Sequence, residues 1–370
     1  MQPAEQLEQR LLLTDLPFQQ YVLYAPTAMP ETDDRFTMQA GLWDNDVSTD
    51  IFLIQRAGTA SSHVEVSVYS TTWGEFDFRH SGASTAYTTR LETALPTVSD
   101  DWVFRMESWG GGTMPDLFAI HRAGTASGFV EVQVLTGESG FQTGPTVFQT
   151  PLPTAGRDWD FDLGYSNLDS FPDLFAFQKN GQFNTELTVL AGSAAGAFSN
   201  VLLQTAIAAP PTNTQYDFVV GDLENDGVAD LWLIRDQGAD SERIEFSILP
   251  GKNSGNGDLP FQWVQSSGMT AIADTKRDWG FDATYLNSPF ATADDGIADL
   301  VGLQKIEGNA PDMHFLTGVL KNTNTSFDDV TVPATAFFSD AAKSIPGLTG
   351  SYVNQNLRAV SNQSDWRSTQ

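Results

Sequence analysis

Residues 222–230 carry the strongest chemical pattern in the chain. They place acids at positions 1, 3, 5 and 9 of a nine-residue loop and a glycine at position 6. Carboxylates at this spacing can fold around a hard cation, the carbonyl at position 7 adds another oxygen, and glycine permits the sharp turn. The sequence therefore predicts a calcium site whose ligands are Asp222, Glu224, Asp226, the Val228 carbonyl and Asp230.

Two other segments keep part of this pattern and predict weaker calcium sites. One holds Asp44, Asp46 and Asp50, although Leu42 stands at position 1 and Val47 replaces the glycine. The other holds Asp295 and Asp299. A metal distributed so unevenly is expected to brace particular loops rather than to run chemistry, and a solvated acidic turn is the alternative for each segment.

The acidic loop belongs to a unit that occurs five times in the chain. Each copy has an Asp followed by an apolar residue, here called the anchor, and the anchors are Asp50, Asp116, Asp173, Asp230 and Asp299. Glycine recurs after the third predicted strand in the last four copies, at Gly137, Gly192, Gly251 and Gly318. Agreement in register over five copies is far more specific than any short motif.

The segments around the anchors are short, β-branched and aromatic, and turn residues separate them, which predicts strands. Four short strands in a repeating unit predict an all-β fold, a β-propeller of four-stranded blades. Five blades are the simplest ring, and six are possible with a composite terminal blade. The predicted domains are an N-terminal segment with a seam strand (1–33), the propeller (34–338, with blades at about 34–99, 100–156, 157–213, 214–275 and 276–338) and a C-terminal tail (339–370).

Two further side-chain types recur within the unit. An aromatic residue opens the first strand of each copy, and we expect it to pack between neighbouring blades; these are Phe36, Trp102, Trp159, Tyr216 and Trp279. A basic residue ends the second strand, at Arg56, Arg122, Lys179, Arg235 and Lys305. In a tight hairpin such a residue should pair with the acid on the third strand, as Arg122 with Glu131.

The stretches GDLENDGVADL and DLFAIHRAGTASGFVEVQVLTG resemble the FG-GAP, or VCBS (integrin-like), repeat. The resemblance covers about residues 34–338. It implies a propeller with calcium in the loop between the first two strands of a blade. It also implies roles in adhesion, glycan binding or protein docking, and only rarely in catalysis.

Charge and composition exclude several classes of function. The chain has 370 residues, 47 acidic and 19 basic side chains, and a formal net charge of -28. Binding to nucleic acid or to an anionic membrane surface needs clusters of Lys and Arg that this chain lacks. The absence of cysteine excludes disulfides and thiolate chemistry. No apolar run reaches the length of a membrane span, and the N-terminus does not match a secretory signal.

No catalytic fingerprint stands out, and the many carboxylates give no basis for choosing an acid and base pair. The sequence therefore predicts that the protein is not an enzyme. It favours a docking, structural or receptor-recognition component of a virion or an extracellular appendage, with other proteins of the assembly or cell-surface glycans as partners. The alternative is a multivalent glycan-binding lectin in which Trp73 and Trp109 stack on sugar rings.

Overall fold

The structure is a computed structural model, and it describes part of the chain. The described residues are 21–26, 33–43, 49–69, 88–112, 114–154, 156–167, 169–178, 186–194, 198–207, 216–223, 226–235, 243–252, 259–273, 279–284, 298–304 and 312–316. The predicted sites at Asp44, Asp46, Glu224 and Asp295 lie outside these residues, as do Trp73, Lys179 and Lys305.

The described residues form twenty strands in five antiparallel four-stranded sheets. Sheet 1 holds β2 (Phe36–Gly41), β3 (Asp50–Gln55), β4 (His63–Tyr69) and β5 (Thr88–Pro96). Sheet 2 holds β6 (Trp102–Glu107), β7 (Asp116–His121), β8 (Phe129–Leu135) and β9 (Thr146–Pro153). Sheet 3 holds β10 (Trp159–Gly164), β11 (Asp173–Gln178), β12 (Glu186–Leu190) and β13 (Val201–Ala206). Sheet 4 holds β14 (Tyr216–Gly221), β15 (Asp230–Arg235), β16 (Arg243–Leu249) and β17 (Ser266–Ala273).

Sheet 5 closes the ring with strands from both ends of the described chain. It holds β18 (Trp279–Thr284), β19 (Asp299–Gln304), β20 (Asp312–Leu316) and, beside β20, β1 (Tyr21–Pro26). The innermost strands contact one another in the closed cycle β2, β6, β10, β14, β18. The predicted all-β propeller of four-stranded blades is therefore confirmed. Among the described residues, no helix has the length and apolar character needed to cross a bilayer.

The apolar core lies between neighbouring sheets. Side chains alternate along each innermost strand, so Trp159, Phe161 and Leu163 pack against Phe118 and Ile120 of sheet 2. Equivalent aromatic residues of sheets 2, 4 and 5 join the clusters of sheets 1, 3 and 4 in the same way. The recurring aromatic residues thus pack between blades, as predicted.

In sheets 2, 3 and 4 the anchor aspartate holds two loops to the start of the second strand. Asp173 accepts hydrogen bonds from the backbone N–H of Ser166 (2.9 Å) and of Gly192 (2.9 Å). Asp116 accepts from Trp109 (3.0 Å) and Gly137 (2.8 Å), and Asp230 accepts from Leu223 and Gly251 (both 2.9 Å). Buried backbone N–H groups need such partners, so the aspartate repeats in these three copies because each blade needs the same two bonds.

The glycine after the third strand recurs because its backbone approaches the segment just before the anchor aspartate. A Cβ at Gly192 would lie 2.2 Å from the carbonyl oxygen of Pro172, and one at Gly251 would lie 2.1 Å from that of Ala229. The backbone carbonyl just before the anchor leaves no room for any side chain there. The sequence repeat thus records the close approach of two backbone segments.

The basic residue at the end of the second strand behaves differently from one sheet to another. Arg122 donates to the carbonyl oxygens of Trp159 (3.1 Å) and Asp100 (2.8 Å), and it does not pair with Glu131 as predicted. It stands six residues after its anchor, so the side chain faces the other side of the sheet from Glu131. Arg235 stands five residues after its anchor and directly opposite Glu245.

Candidate functional site: the axial cavity

A cavity of about 840 Å³ opens on the axis of the ring, at the end of the innermost strands. All five sheets contribute to it the last two residues of their innermost strands, namely Ala40, Gly41, Met106, Glu107, Leu163, Gly164, Val220, Gly221, Ala283 and Thr284. The loops that follow add Leu42, Ser108, Tyr165 and Asp222. Because the lining comes from every sheet, the cavity exists only once the ring has closed.

A layer of mostly polar side chains lies just below the cavity, at the fourth residue of each innermost strand. Gln39, Asp162 and Asp282 each accept a hydrogen bond from the backbone N–H of the next sheet, at Met106 (3.4 Å), Val220 (2.8 Å) and Ala40 (2.6 Å). Arg105 donates from Nε to Asp162 Oδ1 at 2.8 Å. Only the equivalent residue of sheet 4, Val219, is apolar, and it packs against sheet 5.

The charges of this layer are unequal, since one arginine faces two buried carboxyls. Burial raises the pKa of Asp282 to about 8, and the neighbouring Asp162 carboxylate adds to that shift. Burial also raises the pKa of Asp162, although Arg105 opposes it. Burial disfavours the charged form of Arg105 and so lowers its pKa. The carboxyl group of Asp162, together with that of Asp160 two residues earlier on the same strand, outweighs this effect and raises the pKa of Arg105. The floor of the cavity is therefore a compact network that holds a proton at neutral pH.

Glu107 is the carboxyl group that the cavity wall holds in place. Its Oε1 accepts the backbone N–H of Ser108 at 3.0 Å and lies 3.1 Å from the hydroxyl of Tyr165. Burial raises the pKa of Glu107, and the two hydrogen bonds only partly offset it. Its Oε2 makes no hydrogen bond within the described part of the chain, so one oxygen is oriented and the other is available to a ligand.

A second carboxyl group, that of Asp169, lies on the same cavity wall as Glu107 and Tyr165. The Tyr165 hydroxyl also lies 3.1 Å from the carbonyl oxygen of Ser108, and burial together with Glu107 and Asp169 raises its pKa. Asp169 is exposed, lines the cavity, and accepts the backbone N–H of Phe171 through Oδ1 at 2.8 Å. The wall thus carries the buried carboxyl group of Glu107, the Tyr165 hydroxyl and the exposed carboxyl group of Asp169.

The structure places the predicted calcium loop beside this cavity. Asp222 accepts the backbone N–H groups of Asp226 (3.0 Å) and Gly227 (2.6 Å), and Lys252 lies 3.1 Å from Asp226. The anchor Asp230 is occupied by its two backbone partners. Within the described ranges, which omit Glu224, no three acidic or histidine side chains gather closely enough to hold a metal ion. Asp50 likewise accepts the backbone N–H of Trp43 at 2.7 Å, and calcium stays a prediction.

Trp109 has a structural position rather than an exposed one. Its ring packs against Phe118, Phe148, Phe171 and Phe198 at centroid distances of 5.0–5.7 Å. A sugar cannot stack on a face that neighbouring rings already cover. This tryptophan therefore belongs to the core between sheets 2 and 3.

Sequence reasoning missed Glu107 and the axial layer because it searched for agreement between copies. At the position of Glu107 the other copies have Gly41, Gly164, Gly221 and Thr284. At the position of Arg105 the other copies have Gln39, Asp162, Val219 and Asp282, so only two of the five copies share a residue type. The signal in the sequence was a difference between copies. Where an otherwise regular innermost strand carries polar residues that differ from copy to copy, those residues lie near the axis of the ring.

No protein-family model matches the chain, and no curated protein matches it. The resemblance to FG-GAP repeats stays a prediction. Among solved structures, the chain is similar to the endo-arabinase from Bacteroides thetaiotaomicron, with 12% identity, a TM-score of 0.45 and coverage of 84% of this chain and 100% of that one.

The chain is also similar to the catalytic domain of a GH62 α-L-arabinofuranosidase from Coprinopsis cinerea, with 13% identity, a TM-score of 0.43 and coverage of 82% and 98%. AofleA from Arthrobotrys oligospora matches at 13% identity with a TM-score of 0.40, over 77% of this chain and 73% of that one. At these values no activity is carried over to this protein.

The comparisons nevertheless correct two sequence-based predictions. The sequence predicts a non-catalytic docking, structural or receptor-recognition component and not an enzyme, because no catalytic fingerprint stands out and the many carboxylates give no basis for choosing an acid and base pair. The solved structures that the chain resembles include an endo-arabinase and the catalytic domain of an α-L-arabinofuranosidase, and both predictions are corrected on this finding. The physical reason is that residues shared by all copies build the sheets, whereas residues that differ between copies line the axis of the ring.

Proposed function

We propose that the protein is a hydrolase of neutral carbohydrates and that its reaction takes place in the axial cavity with Glu107 as proton donor. The observation that carries this proposal is the position of Glu107: it lines the cavity, one oxygen is held by Ser108 and Tyr165, and burial raises its pKa. General acid catalysis is favoured by a carboxyl group with a raised pKa, because such a group keeps its proton to higher pH.

Two carboxyl groups suffice for glycoside cleavage. Glu107 donates its proton to the oxygen of the leaving sugar as the bond from that oxygen to the anomeric carbon breaks. A water molecule attacks the anomeric carbon and gives its proton to the second carboxylate. Asp169 fits the second role because it is hydrated, lies on the same wall, and has an Oδ2 that accepts no hydrogen bond from the described residues.

The lining of the cavity favours a sugar over other substrates. Hydroxyl groups of Ser108, Tyr165 and Thr284 alternate with apolar side chains such as Met106 and Leu163. A sugar ring has the matching character, since its edge carries hydroxyls and its face carries C–H groups. The net charge of -28 and the carboxyl groups of the wall repel anionic glycans, so the substrate is expected to be neutral.

The test is release of reducing sugar from a panel of neutral polysaccharides, including arabinan, arabinoxylan, xylan and galactan, by the full chain. On any substrate that is cleaved, Glu107→Gln should lower kcat by roughly 100-fold or more, because the amide cannot donate a proton. The matched control is Asp101→Asn, which removes a carboxylate just before the opposite end of the same strand and should leave kcat unchanged.

The pH dependence gives a second readout. Activity should fall as pH rises through the raised pKa of Glu107, because the donor must be protonated. It should also fall at low pH, as the base becomes protonated. The proposal is wrong if no polysaccharide of the panel is cleaved, or if Glu107→Gln retains the activity of the wild type.

A further inference from the structure

We propose that a second cavity, on sheet 4, binds a single neutral sugar unit between Arg235 and Glu245. This cavity measures about 310 Å³ and is lined by Tyr216, Arg235, Glu245, Ser247, Ser267 and Met269, among others. Tyr216 opens strand β14, whereas the axial cavity lies at the other end of that strand. The inference goes beyond the proposed hydrolysis, since binding here involves no bond cleavage.

The first observation is the register of sheet 4. Arg235 stands directly opposite Glu245 on the neighbouring strand, and its NH1 lies 3.5 Å from Glu245 Oε2. The corresponding positions of sheets 1, 2 and 3 hold Gln55, His121 and Gln178, each opposite a glutamate. Among these four sheets, the shift of one residue in the basic position gives sheet 4 alone an arginine facing the acid.

The second observation is open space where sheet 1 is filled. In sheet 1 the fourth strand places Arg90 opposite Ser67, and its guanidinium pairs with Glu65. In sheet 4 the same register position, opposite Ser247, holds Ser267, and Gly268 follows it. The large cationic side chain of Arg90 is thus replaced by the small hydroxymethyl group of Ser267, and the cavity occupies the resulting volume.

The chemistry of the wall defines the class of ligand. The side chains of Arg235 and Glu245 are 27% and 31% exposed, so both can reach a ligand. A free anion is repelled by the glutamate and a free cation by the arginine. A pair of neighbouring hydroxyls satisfies both, because one oxygen accepts from the guanidinium while the other hydroxyl donates to the carboxylate. Tyr216 and the 42% exposed Met269 offer apolar surface to the ring.

The test is a titration of the full chain with methyl pyranosides and methyl furanosides, followed by calorimetry or by chemical-shift changes. To isolate this site, Glu107→Gln is used as the background, so that any substrate remains uncleaved. Ser267→Arg should copy the arrangement of sheet 1, pair with Glu245 and fill the cavity. Its affinity for the bound glycoside should fall by more than about tenfold, which equals roughly 1.4 kcal/mol.

The matched control is Gln204→Arg, which adds the same charge at the equivalent register position of sheet 3, opposite Thr188. It should leave the affinity unchanged. The inference is overturned if no glycoside binds, if Ser267→Arg binds as the wild type does, or if glycine or inorganic phosphate binds this cavity in place of glycosides. Binding in the Glu107→Gln background with no hydrolysis by the wild type would remove the proposed function and leave this site standing.

Discussion

The anchor aspartates and the axial side chains occupy neighbouring layers of the same sheets but follow opposite rules. Asp116, Asp173 and Asp230 are identical in type and make the same two backbone bonds within 0.1–0.2 Å of one another. The axial positions hold a glutamine, an arginine, two aspartates and a valine. Each anchor accepts hydrogen bonds from loops of its own blade. Each axial residue instead contacts the neighbouring blade, and that neighbour differs from copy to copy.

The contrast shows where variation is tolerated in a ring of repeats. An anchor has the same surroundings in every copy, so each copy needs the same residue. An axial residue faces the next sheet, and its requirements depend on what that sheet presents. Arg105 of sheet 2 counteracts the effect of burial on the pKa of Asp162, whereas among the described residues Asp282 meets backbone N–H groups alone at hydrogen-bond distance.

The largest expected effect concerns the arginine of the axial layer. Arg105→Met should lower the free energy of unfolding by about 3–5 kcal/mol at neutral pH, because the buried Asp162 carboxylate loses its partner. The measurement is urea-induced unfolding. The double variant Arg105→Met with Asp162→Asn should recover most of this loss. A double variant as unstable as the single one would show that the charge pair is not the cause.

The anchors should give nearly equal effects in three copies. Asp116→Ala, Asp173→Ala and Asp230→Ala should each cost about 2–3 kcal/mol of unfolding free energy, because each leaves two backbone N–H groups without their acceptor. Glu186→Ala, at an exposed position on the third strand of sheet 3, serves as control and should stay within about 0.5 kcal/mol of the wild type. Widely different losses of unfolding free energy among the three variants would show that the anchors do not have equivalent roles.

The axial carboxyl of sheet 5 should make stability depend on pH. The pKa of Asp282 lies at about 8 in the folded protein and at the ordinary 3.8 when unfolded, so folding takes up a proton between these values. Its contribution is therefore most favourable below the ordinary value and declines as pH rises towards about 8, by at most roughly 1.4 kcal/mol per pH unit. Asp282→Asn cannot ionise and should flatten this slope in unfolding measurements at several pH values. An unchanged slope would assign it to other groups.

The smallest expected effect concerns calcium at the loop of residues 222–230. If the predicted site forms, calcium at five times its dissociation constant should stabilise the wild type by about 1 kcal/mol. A thermal-shift titration measures this, and Asp226→Asn should abolish the shift while Asp101→Asn keeps it. Equal melting temperatures with and without calcium would mean that backbone N–H groups and Lys252 hold the loop without a metal.

The architecture can be predicted from the sequence alone, because the features that define a blade recur at fixed spacing. The anchors, the glycine after the third strand and the aromatic opening each innermost strand all have the structural roles that repetition implies. The all-β propeller of four-stranded blades could be predicted for this reason. Strand β1, which completes sheet 5, lies within residues 1–33, the segment in which the sequence predicts a seam strand.

The axial cavity and the cavity on sheet 4 became visible only in the folded ring. Glu107, Tyr165 and Asp169 come from two sheets, and nothing in their spacing along the chain marks them as neighbours. The pairing of Arg235 with Glu245 was expected from the repeat, but the space beside it depends on a serine in another strand. Repetition encodes contacts that every blade shares, whereas a site on the axis or in one blade arises from contacts that occur once, and these are fixed only when the ring closes.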